Sequence, residues 1–376
     1  MRQRRKRVWL RQRLIAALFL FGALGCAVMQ PRLAHAANAA SAASAASARV
    51  AQAEHAQRVG PDDHRCSTDC HARIGIVSAF GAEADILQAQ TKGQRVRVIH
   101  GIRFTTGTLR GHAVVIVLSG VSMINAAMTT QLMLDHFHIQ RLIMSGIAGG
   151  VDPANHVGDV IVPERWMMPM EVYWNSDGAV PAPCGEAGEI GCLGLKLATR
   201  DGQVLVPYTL PTAQGALATG LFMRQTQVTR TGAVPGGEFR FDYLADPHML
   251  AVARTLTPTL LRCARAKPDL CVSTQPILRV GGRAASGSAF LANADYRRYL
   301  FDTLQVQAID METAAFAHVA YANRIPFIAF RSLSDLAGGS NASDVGTFFG
   351  SGLAETNEAS VTLAFLSAWP RGGRAQ

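Results

Sequence analysis

Between Arg73 and Trp369, short apolar runs alternate with stretches of helical period, a pattern that few architectures other than an α/β sheet accommodate. Residues 74–80 carry a strand signal; 95–100, 103–109 and 113–118 spell a meander; Gly120 ends it, and 122–136 have the helical period. Strands are expected again at 142–145, running into Gly146-Ile-Ala-Gly-Gly150, and at 160–163. Residues 167 to about 275 break the pattern, being rich in Gly, Pro and Thr and weakly periodic, and are expected to be an insertion. The core pattern resumes at 276–281, passes the loop Ser286-Gly-Ser-Ala-Phe290, and continues as helix, strand 306–310, helix 313–323, strand 327–334 and a last helix to Trp369.

The formal charge of +9 points to a polyanion or a membrane until its location is considered. Residues 1–13 hold seven Lys or Arg and no acid, residues 14–28 are apolar, and Ala34-His-Ala36 offers a small-x-small cleavage site. That order is expected of a secretory signal peptide ending at residue 36. Its fifteen apolar residues fall short of the roughly 20 that span a bilayer. Residues 1–36 hold eight of the 36 basic residues and none of the 27 acidic ones, so the remainder carries 28 against 27 and is nearly neutral. Nucleic acid is therefore not an expected partner, nor is stable membrane insertion after cleavage. The expected location is the periplasm, with a lipid anchor at Cys26 as the minor alternative.

Residues 37–72 are expected to be a flexible segment, Ala/Ser-rich as in Ala40-Ser-Ala-Ala-Ser-Ala-Ala-Ser47, ahead of a folded domain at 73–372. In an oxidising compartment the close pairs Cys66 and Cys70, Cys184 and Cys192, and Cys263 and Cys271 read as local disulfides. The spacing Cys66-Ser-Thr-Asp-Cys70 misses the two-residue gap of a metal or haem motif. No G-x-G-x-x-G, P-loop lysine, H-E-x-x-H or G-x-S-x-G pattern occurs, so no cofactor and no catalytic metal are expected.

Three acids follow three strand signals: Glu83 after 74–80, Glu312 after 306–310, and Asp335 after 327–334. Singly, each is as well explained by a helix cap or by compensation of a helix dipole. Together they form a constellation, because the carboxyl ends of strands in an open α/β sheet lie where ligand pockets form. The glycines of 146–150, Gly149 among them, and Ser119-Gly120 would let a backbone approach a sugar or anion closely.

Ile74-Gly-Ile-Val-Ser-Ala-Phe-Gly-Ala-Glu83, the glycines of 146–150 with Val157-Gly-Asp-Val160, residues 286–291, Asp310-Met-Glu312 and Arg331-Ser-Leu-Ser-Asp335 occur in one order. In that order they resemble the nucleoside phosphorylase and nucleosidase superfamily, from Arg73 to Trp369 with the insertion excepted. Ser119-Gly-Val-Ser-Met-Ile-Asn-Ala126 looks most like the plant bark and vegetative storage proteins and their secreted bacterial relatives. The resemblance implies a single-domain three-layer α/β sandwich around a central mixed, twisted sheet, assembled as a homo-oligomer. It also implies roles. Glu312 would bind the ribose hydroxyls with Met311 beneath the sugar, and Asp335 would protonate the purine at its imidazole nitrogen. Phe290 would stack on the base, backbone around Leu291 would hydrogen-bond the base edge, and Glu83 would orient the attacking water. Gly149, Arg331 and Ser334 complete the expected substrate-binding set.

Phosphorylases of this superfamily hold phosphate with arginine and serine near the first and central glycine loops. Here the first loop offers Glu83 and the central loop Met144 and Ile147. A carboxylate repels phosphate and suits water. Hydrolysis of adenosine-like nucleosides is therefore the expected reaction, with phosphorolysis and a non-catalytic binding or storage role as alternatives. Ile147 stands where nucleosidases carry a polar residue. Trp166, Tyr173 and Trp174 are candidates for lining the 5′ side of the pocket.

Overall fold

The computed structural model describes residues 69–371 except 177, 181–195, 213–214, 217–219, 231–236 and 339–347. The expected signal peptide, nearly all of the Ala/Ser-rich segment, Cys66, Cys184 and Cys192 lie outside the described residues. One compact unit spans His64–Gln376.

In chain order its main elements are β1 Asp69–Ser78, α1 Gly81–Gln90, β2 Lys92–Ile99, β3 Ile102–Leu109, β4 His112–Leu118, α2 Met123–His136, β5 Phe137–Gly150, β6 Val160–Val162 and β7 Arg165–Met167. There follow β8 Asp242–Leu244, α3 Pro247–Arg254, β9 Leu278–Val280, β10 Arg283–Ser286, α4 Ala294–Leu304, β11 Val306–Asp310, α5 Thr313–Ala322, β12 Phe327–Asp335 and α6 Leu353–Ala368. The twelve strands form one mixed sheet in the order β8-β7-β10-β11-β5-β1-β4-β3-β2, with β12 beside β5, β6 beside β12, and β9 beside β6. The expected meander is β2-β3-β4, antiparallel throughout. Helices α2 and α5 pack on each other, as do α1 and α6, giving the three layers of an α/β sandwich.

The middles of the central strands, residues 74–77 of β1, 142–144 of β5 and 327–330 of β12, are apolar because helices cover both faces there. Ile76, Val77, Leu142, Ile143, Ala329 and Phe330 are fully buried. Gly75 interrupts β1 for a packing reason: a Cβ there would meet Met133 Sδ at 2.5 Å and Leu142 Cδ2 at 2.9 Å. Its absence lets α2 close on the sheet.

The site is set by β5, whose length of 14 residues allows three partners. It runs parallel to β1 and to β12, and at its carboxyl end it pairs antiparallel with β11, Ile309 opposite Gly149. A register irregularity between Leu333 and Asp335 brings Asp335 opposite Gly149 as well. Three strand ends thus converge on one glycine.

The expected insertion at 167–275 is narrower than its composition implied. Met167 closes β7, Asp242–Leu244 is β8 at the sheet's edge, and α3 packs on β12 and α6. Proline and glycine near these short elements obscure a period that needs more residues to show. Between β7 and β8 the chain forms small ladders, Val172–Asn175 with Gly220–Met223 and Thr226–Val228 with Glu238–Arg240 among them. Ala198, Leu205 and Met223 share a hydrophobic cluster with Ala285, Leu300 and Ile309, so this segment is packed onto β10, β11 and α4. Cys263 and Cys271 form the expected disulfide, and Cys70 is also disulfide-bonded. Among the described residues no helix is long and apolar enough to cross a membrane.

Candidate active site

A pocket of about 100 Å³ lies at the carboxyl ends of β1, β5, β11 and β12. Glu83, Glu312 and Asp335 line it together with Gly149, Phe290, Leu291, Met311 and Ser334. The three acids and the expected substrate-binding residues therefore converge there, Arg331 excepted. Phe80, Val121 and Phe349 complete an apolar mouth, with Phe290 and Phe349 edge to face at 5.9 Å.

Arg331 does not face the ligand space: it is fully buried beneath the floor. Its guanidinium contacts Asp310 Oδ2 at 2.8 Å, Glu83 Oε1 at 3.4 Å and Glu312 Oε2 at 3.5 Å. One cation thus serves three buried carboxyl groups, and it is unavailable to a bound anion. Removing one member of such a buried set strands the others at a cost of about 3–5 kcal/mol. Gly146 is required by the same contacts, since a Cβ there would overlap both Arg331 Nη1 and Glu83 Oε1.

Glu312 stands at the N-cap position of α5 but makes no capping bond. That work falls to Asp310, whose Oδ1 accepts from the backbone N–H groups of Glu312 at 3.2 Å and Thr313 at 3.1 Å. The hydroxyls of Ser286 and Thr313 also donate to Asp310. Released from capping, Glu312 turns to the pocket, where its Oε1 accepts from Ser122 N at 2.9 Å. Ser122 holds φ 104°, a strained value for a residue with a side chain, and it aims that N–H at the site. Burial pushes the Glu312 carboxyl up to about 7, against Arg331, which lowers it; Asp310 adds to the rise. The structural role of Asp310 went unrecognised in the sequence, although an Asp three residues ahead of Thr313 at a strand-to-helix junction is a capping signal.

Asp335 has a different environment. Its Oδ1 accepts from Ala337 N at 2.8 Å and its Oδ2 from Ser334 Oγ at 2.9 Å. No ion pair to it occurs among the described residues. Burial raises its pKa, and these two hydrogen bonds only partly oppose the rise. Gly149 keeps the space in front of it open, since a Cβ there would stand 3.0 Å from Asp335 Oδ1.

Glu83 is nearly enclosed. Its Oε2 accepts from the backbone N–H of Ala79 at 2.6 Å and Phe80 at 3.2 Å, which makes it the capping-box acid of α1. Its Oε1 accepts from Ile147 N at 2.9 Å. Burial raises its pKa, opposed by Arg331 and by these three backbone donors. Ile147 presents its N–H to Glu83 and its side chain to the pocket, while Met144 is wholly in the core. Behind them, Glu358 of α6 is fully buried, accepts hydrogen bonds from the hydroxyls of Ser145 and Thr362, and is pushed up to about 8 by burial.

Trp166 is fully buried in the core, and Tyr173 and Trp174 lie on the surface hairpin starting at Val172; none of the three lines the pocket. Trp166 is taken up by the core from β7, and Tyr173 and Trp174 sit on a ladder with Gly220–Met223 outside the pocket lining.

Fold and site together define an α/β protein with a small, mostly apolar pocket set between acids in separate environments. Residues 73–367 match the model of the phosphorylase superfamily, and the chain belongs to that superfamily. A 5′-methylthioadenosine/S-adenosylhomocysteine nucleosidase of Bacillus thuringiensis (strain Al Hakam) is 26% identical over 267 residues, covering 71% of this chain and 87% of that protein. The fold is shared with the S-adenosylhomocysteine nucleosidase of Streptococcus pyogenes, solved with 5-methylthiotubericidin, at TM-score 0.53 and 22% identity over 81% of this chain and 98% of the other. It is shared also with the nucleosidase of S. pneumoniae bound to the transition-state inhibitor MT-ImmA, at TM-score 0.52 and 23% identity over 78% and 98%.

Proposed function

We propose that the chain is an exported purine nucleosidase that hydrolyses the N-glycosidic bond of adenosine-like nucleosides, 5′-methylthioadenosine and S-adenosylhomocysteine among them. The observation that carries this reading is the charge arrangement: three carboxyl groups line the pocket, no Lys or Arg lines it among the described residues, and Arg331 is consumed beneath it. Phosphate would therefore meet acids without a counter-charge. The superfamily relatives named as nucleosidases support the same direction.

The chemistry follows from the environments. Breaking the bond builds positive charge on the ribose carbon and negative charge on the base. Asp335, biased toward its protonated form by burial, donates a proton to the departing base, making it a better leaving group. Glu312, held by Ser122 N and Arg331, accepts from the ribose hydroxyls and stabilises the developing cation. Glu83, the third carboxyl group lining the pocket, would orient the attacking water. Export rests on the N-terminal signal pattern, and a homo-oligomer remains part of the proposal.

A second reading, nucleoside binding without turnover, is favoured by one detail. Glu83 already accepts from Ala79, Phe80, Ile147 and Arg331, which matches the roughly four acceptor sites of a carboxylate. Incubation of the mature protein with adenosine, inosine, 5′-methylthioadenosine and S-adenosylhomocysteine, with and without phosphate, separates the cases. Phosphate-independent release of free base and free pentose supports the nucleosidase; base binding by calorimetry with no product over hours supports the alternative.

A further inference from the structure

A second cavity, of about 480 Å³, adjoins the first. The consecutive residues Ala289, Phe290 and Leu291 wall both. Its far side comes from the segment between β7 and β8, through Met170, Val172, Leu210 and Leu221, and from the tyrosines of α4. Tyr208 packs against Tyr296 at 4.8 Å and Tyr299 at 5.2 Å, so the wall is an aromatic cluster with its own rigidity. Among the described residues no charged side chain lines the space.

Two considerations identify the occupant. The residues that wall the first pocket at the sugar, Met311 and Glu312, do not reach the second cavity; the shared residues are those placed against the base. A group entering the second cavity therefore leaves the nucleoside from its base and not from its sugar. Size and polarity say what it is: an apolar cavity of about 150 Å³ holds a benzene ring, so this one has room for a ring and its linker.

We propose that the second cavity receives an apolar substituent carried on the edge of the purine, so that the preferred substrates are base-substituted purine nucleosides, aryl or branched alkyl. This rests on the nucleosidase reading for the placement of the base. Phe290, exposed to 54%, stands at the junction of the two spaces, stacking toward the base on one side and toward the substituent on the other. Leu221 belongs to the second cavity alone and gives a handle on it.

The test compares kcat/KM of the mature, disulfide-bonded protein for adenosine and for N6-benzyladenosine, in the parent and in Leu221→Trp. The expected result is a preference for the benzyl compound of about tenfold or more, with the ratio brought toward one in Leu221→Trp. Calorimetry of the parent with adenine and N6-benzyladenine runs beside it and does not depend on turnover or on the variant's folding. Tighter binding of the benzyl base with no cleavage of any nucleoside would retain the cavity's role and reject the nucleosidase. Cleavage of adenosine with weaker binding and slower cleavage of the benzyl compound overturns the proposal. So does a preference for a bulky 5′ substituent that Leu221→Trp abolishes, since the cavity would then serve the sugar end.

Discussion

Replacing Glu358 by glutamine should stabilise the protein at neutral pH and barely at all in mild acid. Glu358 is fully buried on α6 with no cation in contact, and burial pushes its carboxyl from 4.5 to about 8. Between those values the folded chain holds a proton that the unfolded chain has released. Folded protein binding the extra proton means that stability falls as pH rises through the window. Each pH unit above 4.5 costs about 1.4 kcal/mol, so the parent carries a penalty of about 3 kcal/mol at pH 7, growing until the folded carboxyl itself ionises near 8. Glutamine keeps an oxygen for Ser145 and Thr362, and its amide nitrogen replaces Glu358 Oε2, which already lacks a hydrogen-bond partner. Any constant cost of that exchange cancels if the slope is read. Urea denaturation at pH 5, 6, 7 and 8, disulfides intact, should show the variant gaining about 3 to 4 kcal/mol on the parent across the series. Parallel curves would refute the assignment of a buried, proton-bearing Glu358. Glu312 and Asp335 titrate in both proteins and cancel from the difference, whereas the Glu83 charge contributes to the Glu358 shift itself.

Other consequences bear on activity. Asp335→Asn should lower kcat by about 10²- to 10⁴-fold with little change in KM or in thermal melting, measured by adenine release. In the proposed reaction Glu312 acts as a carboxylate on the sugar hydroxyls, and burial pushes it up to about 7, so kcat/KM should rise with pH through 7; Glu312→Gln should lose that limb along with most of the activity. Gly146→Ala places a methyl group where Arg331 and Glu83 meet and should cost about 1–3 kcal/mol of stability as well as activity, seen in the same denaturation assay. An unaltered melt and rate in that variant would mean that the carboxyl groups can move aside.

The alternation of strand and helix was open to reading because each short element carries its own period, and the acids at strand ends were visible because strand and acid are neighbours in the chain. Glu83, Glu312 and Asp335 were found in that way, with Met311, Phe290, Leu291, Gly149 and Ser334 following from the order of the motifs. The resemblance to a superfamily added roles that no single acid supports on its own. Where local pattern was weak the boundaries suffered, and β7, β8 and α3 were lost in a segment whose composition resembles a loop.

Sequence by itself determined the α/β class, the disulfide at Cys263 and Cys271, and most of the polar residues that come to line the pocket. Tertiary structure alone decided which acid does which work. Glu312 is released for the pocket because Asp310 caps α5, and Arg331 is withheld from it because residues 83, 310 and 312 surround the guanidinium. The cavity beyond Phe290 likewise exists only where the segment between β7 and β8 folds back on α4. Period and spacing are properties of neighbours along the chain, whereas burial, charge pairing and enclosed volume are sums over segments far apart in it, and those sums set the protonation states on which the chemistry depends.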